Sequence, residues 1–162
     1  MKIVVIIDGF NISLTALEKG VKIAKKENCP IKVAVVLREG DLSRYKRNSK
    51  LWRDVDGSII ADRDVKFSDE MVIFKIERKI NAYLKQTDIE DIEYEIEVSI
   101  GEPYETVSQA AHDGEINLIV MGKSAHSNIK RFFMGSVAPI YASDANCPIL
   151  VVQAEYFNEY RA

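Results

Sequence analysis

A glycine at Gly122, a polar loop, and a second glycine followed by a hydroxyl at Gly135-Ser136 are residue types suited to holding a phosphate. Gly122 lets backbone approach a ligand without a Cβ in the way. Gly135-Ser136 stands where a helix opens, with Val137, Ile140 and Tyr141 at inward spacing. The free N–H groups and positive dipole end of such a helix favour an anion, and Ser136 adds a hydroxyl donor. Lys123, Lys130 and Arg131 lie in the same loop and could add positive charge, although loop lysines are usually just solvated. Asp8, at the end of the first apolar run, is a candidate to meet the same ligand.

Those residues need a scaffold, and the hydrophobic pattern supplies one. Residues 2–7 and Ile116 to Met121 are continuous apolar runs, as expected for strands covered on both faces. Ile31 to Leu37 is a further buried strand. Ile92, Tyr94, Ile96, Val98 and Ile100 alternate with acidic or polar residues, which describes a strand wet on one side and near a sheet edge. Ile149 to Val152 is the last strand. Helices are expected around Leu14, Leu17, Val21 and Ala24, around Ile73, Ile76, Ile80 and Leu84, and after Pro103, with Gly114 as a C-cap.

This β-α-β alternation predicts an α/β fold: an open five-stranded parallel sheet, strand order 3-2-1-4-5, with helices on both faces. Ligands in such sheets bind beyond the carboxyl ends of the strands where the order reverses. That point lies between the first and fourth strands, where Asp8-Gly9 and the loop from Gly122 must meet. One domain over 1–153 is expected, with a long aperiodic connection over 38–68 and a tail over 154–162. In the connection, Leu42, Tyr45 and Trp52 could share one face of a short helix.

The 162 residues carry a formal net charge of -3 and 29% charged residues, which gives no basic footprint for nucleic acid. The basic run Arg44, Lys46, Arg47, Lys50 and Arg53 is neutralised at its edges by Glu39, Asp41, Asp54 and Asp56. The N-terminal apolar run is too short for a membrane span or a signal segment, so no membrane partner and a cytoplasmic location are expected. Cys29 and Cys147 occur in matching strings, Asn28-Cys29-Pro30-Ile31 and Asn146-Cys147-Pro148-Ile149, which read as two equivalent junctions into strands. Neither shows metal-ligand spacing, and no metal site is expected from the residues. His126 lacks an orienting carboxylate nearby, His112 reads as a favourable helix-end charge, and Glu102 and Glu105 read as dipole partners of a first helical turn. No Walker A string, pyrophosphatase loop or nucleophile elbow occurs.

The sequence resembles the universal stress protein family over essentially the whole chain. That family carries Gly, two residues, Gly, nine residues, then Gly-Ser or Gly-Thr, after a strand ending in Met-Gly. This chain has Gly122, two residues, Ala125, nine residues, and Gly135-Ser136. Ile7-Asp8-Gly9, the run Asn117 to Gly122 and the run Cys147 to Val152 look like the family's as well. The resemblance implies a sheet like that of the adenine nucleotide alpha hydrolases and a site for ATP or a similar adenine nucleotide, whose phosphates could bring magnesium. By position, Asp8 would bond the ribose or adenine edge, and backbone near Val36 would read adenine. Met121, Gly122, Ser124 and Ala125 would line the ribose and phosphates, and Gly135, Ser136 and Val137 would hold the phosphate tail.

Ala125 departs from the pattern, since a Cβ costs about 1 kcal/mol where backbone needs positive φ. Members without the glycine do not bind ATP, so the alternative is a dimeric interaction module of the same fold without nucleotide. No residue set forms a hydrolytic machine, so the resemblance implies at most slow ATP hydrolysis, in a regulatory protein of the stress response. The apolar last strand, Ile149 to Val152, is an exposed edge that pairing with a second copy would remove. Family dimers commonly join there, which implies a homodimer.

Overall fold

The computed structural model describes residues 1–8, 14–47, 68–123 and 147–153. The two uninterrupted apolar runs become β1 (Ile3–Asp8) and β4 (Leu118–Lys123), at the centre of the sheet. Around them lie β2 (Ile31–Leu37), β3 (Tyr94–Ile100) and β5 (Ile149–Gln153), in the order β3-β2-β1-β4-β5 with every pairing parallel. The expected strand order and the central and edge positions are therefore those observed.

Strand periodicity divides the core into two layers. Ile3, Val5 and Ile7 of β1 face the layer formed with α1 (Leu14–Glu27) and α3 (Asp69–Lys85), where Ala16, Leu17, Val21, Val72, Ile76, Ile80 and Leu84 are buried. Val4 and Ile6 face α4 (Pro103–His112) through Val107, Ala110 and Ala111. The two crossovers running outward from β1 through β2 to β3 thus lie on one face. The crossover returning from β3 to β4 lies on the other, as right-handed connections require.

Helix ends follow local chemistry. The Ser68 side chain accepts from the Met71 N–H at 3.3 Å to cap α3, with Asp69 and Glu70 in the first turn and Lys85 in the last. α1 ends on Asn28, whose φ of 49° is the left-handed conformation that asparagine tolerates. Asn28 N–H donates to Lys25 O at 3.4 Å, and Cys29 N–H to Ala24 O at 3.0 Å. That bond pair is a Schellman closure, and Pro30 then forbids further helix. The reading of Asn28-Cys29-Pro30 as a helix-to-strand junction holds; its counterpart Asn146 lies outside the described residues.

Several boundaries differ from expectation. Asp8 is the last residue of β1 rather than its breaker, and β4 begins at Leu118 rather than Ile116 and continues through Gly122 to Lys123. Ile92 precedes β3, its N–H donating to Ile89 O at 2.9 Å in a turn. Gly114 does not close α4 in a left-handed conformation. Asp113 is the C-cap, its N–H reaching Ala110 O and Gln109 O, and Asp113 Oδ1 accepts from Glu115 N–H at 2.9 Å.

The short helix expected around Leu42 and Tyr45 is present as α2 (Glu39–Arg47), in the first part of the stretch that lacked a period. Its single buried anchor among the described side chains is Leu42, too little to create a periodic signal. The Tyr45 side chain, Trp52 and the helix expected near Gly135 lie outside the described residues, as does the tail 154–162.

Candidate functional site at the carboxyl edge of the sheet

Ladder lengths define the geometry of the carboxyl edge. β1 and β2 are in register through Asp8↔Val36, and β2 and β3 through Leu37↔Ile100. β4 and β5 are in register through Lys123↔Gln153. Between β1 and β4, however, the register ends at Ile6↔Met121. Among the described residues, the last two of β1 and the last two of β4 are therefore free of one another. The edge splits into a β3-β2-β1 block and a β4-β5 block, and the split falls at the switch point where ligands of open α/β sheets bind.

The apolar base of this split is firmly built. Ile6 is 1% exposed, Met121 0% and Val36 1%. Asp8 stands at the lip, the first ionisable residue after five buried apolar ones in β1. Gly122 is held within the β4 ladder opposite Val152 rather than opening the loop. Asp8, Val36, Met121 and Gly122 are thus brought to one edge at the ends of three adjacent strands. Ser124, Ala125, Gly135, Ser136 and Val137 lie outside the described residues, as do His126, Lys130 and Arg131.

One pair at this edge has no counterpart among the residues singled out from sequence. Arg38, directly after β2, places its Nε 3.3 Å from Oε2 of Glu102, two residues after β3. The Arg38 side chain is only 24% exposed. Glu102 occupies the N-cap of α4 with extended backbone, yet its side chain makes no capping bond. Glu102 thus stands at the N-cap rather than inside the first turn, and its carboxylate also serves the guanidinium; Glu105 is in the first turn. The partners are 64 positions apart. Only the pairing of β2 with β3, extended by a Gly101 N–H bond to Leu37 O at 2.9 Å, brings them together.

The opposite, amino edge carries architecture. Asn117 Oδ1 accepts from Lys2 N–H at 2.8 Å, and Asn117 N–H donates to Lys2 O at 2.9 Å, so the strands entering β1 and β4 are clamped. Cys29 and Cys147 are buried thiols, and burial pushes both up, away from the reactive thiolate. His112 ends α4, its Nδ1 2.8 Å from Ser108 O; a carbonyl only accepts, so that nitrogen carries the proton. No three His, Cys, Asp or Glu among the described residues are grouped to hold a metal ion, and no described helix is long and apolar enough to cross a membrane.

Fold and edge together define a doubly wound α/β domain with a split at its switch point. The sequence profile of the universal stress protein family matches residues 1–153, and the chain belongs to that family. A universal stress protein of Methanocaldococcus jannaschii is 24% identical over 152 residues, covering 94% of this chain and 81% of that one. Among solved structures, a universal stress protein in complex with cAMP superposes with a TM-score of 0.59 at 20% identity, covering 96% of this chain and 98% of the other. One from Archaeoglobus fulgidus in complex with dAMP gives 0.52 at 18% identity, covering 94% and 98%. At these identities the two structures establish the shared fold.

Proposed function

We propose that this chain binds ATP or a similar adenine nucleotide at the split between β1 and β4 and acts as a regulatory protein of the stress response. The observation that carries the reading is the β1–β4 register ending at Ile6↔Met121 while both strands continue. That geometry opens a cleft of the kind that nucleotide-binding α/β sheets use. Two relatives of the same fold were crystallised with cAMP and with dAMP, which supports an adenosine-type ligand. In this reading Asp8 meets the ribose or the adenine edge, and backbone at Val36 reads the base. Gly122 gives the sugar and phosphates close access, and Ser124, Ala125, Gly135, Ser136 and Val137 hold the phosphates. Magnesium, where present, would come with the phosphates.

The one-domain span 1–153 and a homodimer joined along β5 belong to the same proposal. β5 is the sheet's outer strand, and its Val151 is 39% exposed. Pairing with a second copy would satisfy its open edge.

The test is direct. Freshly purified protein is denatured and the supernatant examined for adenine nucleotide by mass spectrometry, followed by calorimetric titration with ATP of wild type and Ala125→Gly. Binding by the wild type, strengthened in the glycine variant, supports the proposal. Absence of binding by both refutes it. Binding by the glycine variant alone assigns the chain to the interaction-module reading, with Ala125 as the reason.

A further inference from the structure

The two edges of the sheet are built from opposite materials. β5 is Ile149-Leu150-Val151-Val152-Gln153, whereas β3 and the residue before it carry Glu93, Glu95 and Glu97 at alternate positions. All three glutamates are exposed, and no described strand pairs with the outer side of β3. Alternate residues of a strand share one face. The other face of β3 carries Tyr94, Ile96 and Val98, packed into the core with α3. Without its charges β3 would be a seven-residue, β-branched edge with free backbone groups, which is a template for pairing.

The charges are arranged so that the fold tolerates them. Lys32, across the ladder on β2, bonds Glu97 and stands 3.6 Å from Glu95 Oε1, with its own side chain 25% exposed. One cation therefore serves two carboxylates inside the sheet, and the face keeps excess negative charge towards its open side.

We propose that Glu93, Glu95 and Glu97 close the β3 edge against pairing with a second copy of this chain, so that any extension of the sheet is confined to β5. A two-fold symmetric pairing of β3 with itself is antiparallel. Centred on Glu95, it sets Glu95 against itself and Glu93 against Glu97; centred on Ile96, it sets Glu95 against Glu97 twice. Centred on Glu97, it again opposes two identical carboxylates. Like charges directly opposite on one face destabilise a pair. A register centred on Val98 sets Glu97 against Ser99 and escapes these oppositions, but it matches only Ile96 to Ile100, against all seven residues of β3 in the register centred on Glu97.

The experiment measures mass by multi-angle light scattering over a concentration series. The background is Val151→Lys, which puts a charge on β5. In that background the edge variant is Glu93→Thr/Glu95→Thr, which removes two charges, keeps strand propensity and leaves the Lys32–Glu97 bond intact. The expected result is an apparent mass rising about twofold with concentration in the edge variant and constant in the parent. A third protein, Glu93→Asp/Glu95→Asp in the same background, should stay at the parent's mass, because the like-charge repulsion is kept. Folding of each is checked by circular dichroism. Constant mass for a folded Glu93→Thr/Glu95→Thr variant overturns the proposal, and so does association of the aspartate variant equal to that of the threonine one. The outcome does not depend on nucleotide, so it stands or falls apart from the function proposed above.

Discussion

Gly20 lies in the middle of α1, is buried, and faces β1 so closely that an added Cβ would sit 2.3 Å from Val5 Cγ2. Carbon atoms in contact prefer about 3.5–4.0 Å, so a methyl group at this position overlaps its neighbour by more than 1 Å. Val5 has little room to yield. It is 0% exposed in a strand held on both sides, and a β-branched side chain has a stiff χ1. Overpacking of this kind costs about 1–3 kcal/mol, and the severity of the overlap points to the upper end. Alanine returns about 1 kcal/mol through better helix propensity. Gly20→Ala should therefore lose about 2 kcal/mol net, or about 4–8 °C in Tm for a chain of this length. Urea unfolding of wild type, Gly20→Ala, Val5→Ala and the double variant measures both the loss and its origin. In the double variant the methyl added in place of Gly20 refills space vacated by Val5. The double variant should therefore lose less than the sum of the singles, by about 1–2 kcal/mol. Wild-type stability in Gly20→Ala, or strict additivity in the double variant, would refute the close approach of α1 to β1.

Hydrogen bonding to Glu97 raises Lys32 above the ordinary lysine range, with Coulombic help from Glu97 and Glu95 outweighing the cost of partial burial. A raised lysine stabilises fully below its unfolded value and loses that contribution as pH climbs through the raised native one. Glu97→Gln should cost about 1 kcal/mol or less, constant near neutrality, with the gap to wild type closing above about pH 10.4; a gap unchanged at about pH 11 in urea melts contradicts the pairing. At the α1 junction, Asn28→Ala should lose about 1 kcal/mol because it keeps a Cβ at positive φ without asparagine's local bonding, whereas Asn28→Gly should match or exceed wild type in the same assay. Equal stability for the two variants would mean that Asn28 is not left-handed.

The strands were legible because burial writes itself into composition. β1 and β4 are covered on both faces and read as unbroken apolar runs; β3 is covered on one and alternates. Strand order followed from those patterns plus the handedness of crossovers. Boundaries were less legible, since a ladder can continue through residues that sequence marks as breakers. Asp8 keeps its register with Val36, and Gly122 with Val152. α2 left no sustained period, and among its described side chains Leu42 is the buried anchor. Gly20 carried no signal of its own, because its role depends on how near β1 lies.

The candidate site divides along the same line. Asp8 and Gly122 could be named because topology brings strand ends together, and topology was readable; Val36 and Met121 were named through the family resemblance. Arg38 and Glu102 could not, because a pair 64 positions apart is joined only by the register of β2 on β3. The consequence reaches back to the site. Val36 stands two positions before Arg38, so the backbone proposed to meet the base is continuous with a segment tied to the start of α4. The β3-β2-β1 side of the split is thereby braced by an ion pair as well as by its ladders. The β4-β5 side rests on its ladder, on Leu118, Val120, Leu150 and Val152 packed into the layer of α1, and on Ile119, Met121, Cys147 and Ile149 in the other layer. A nucleotide entering the split would meet one side fixed at both the strand ends and the following segment.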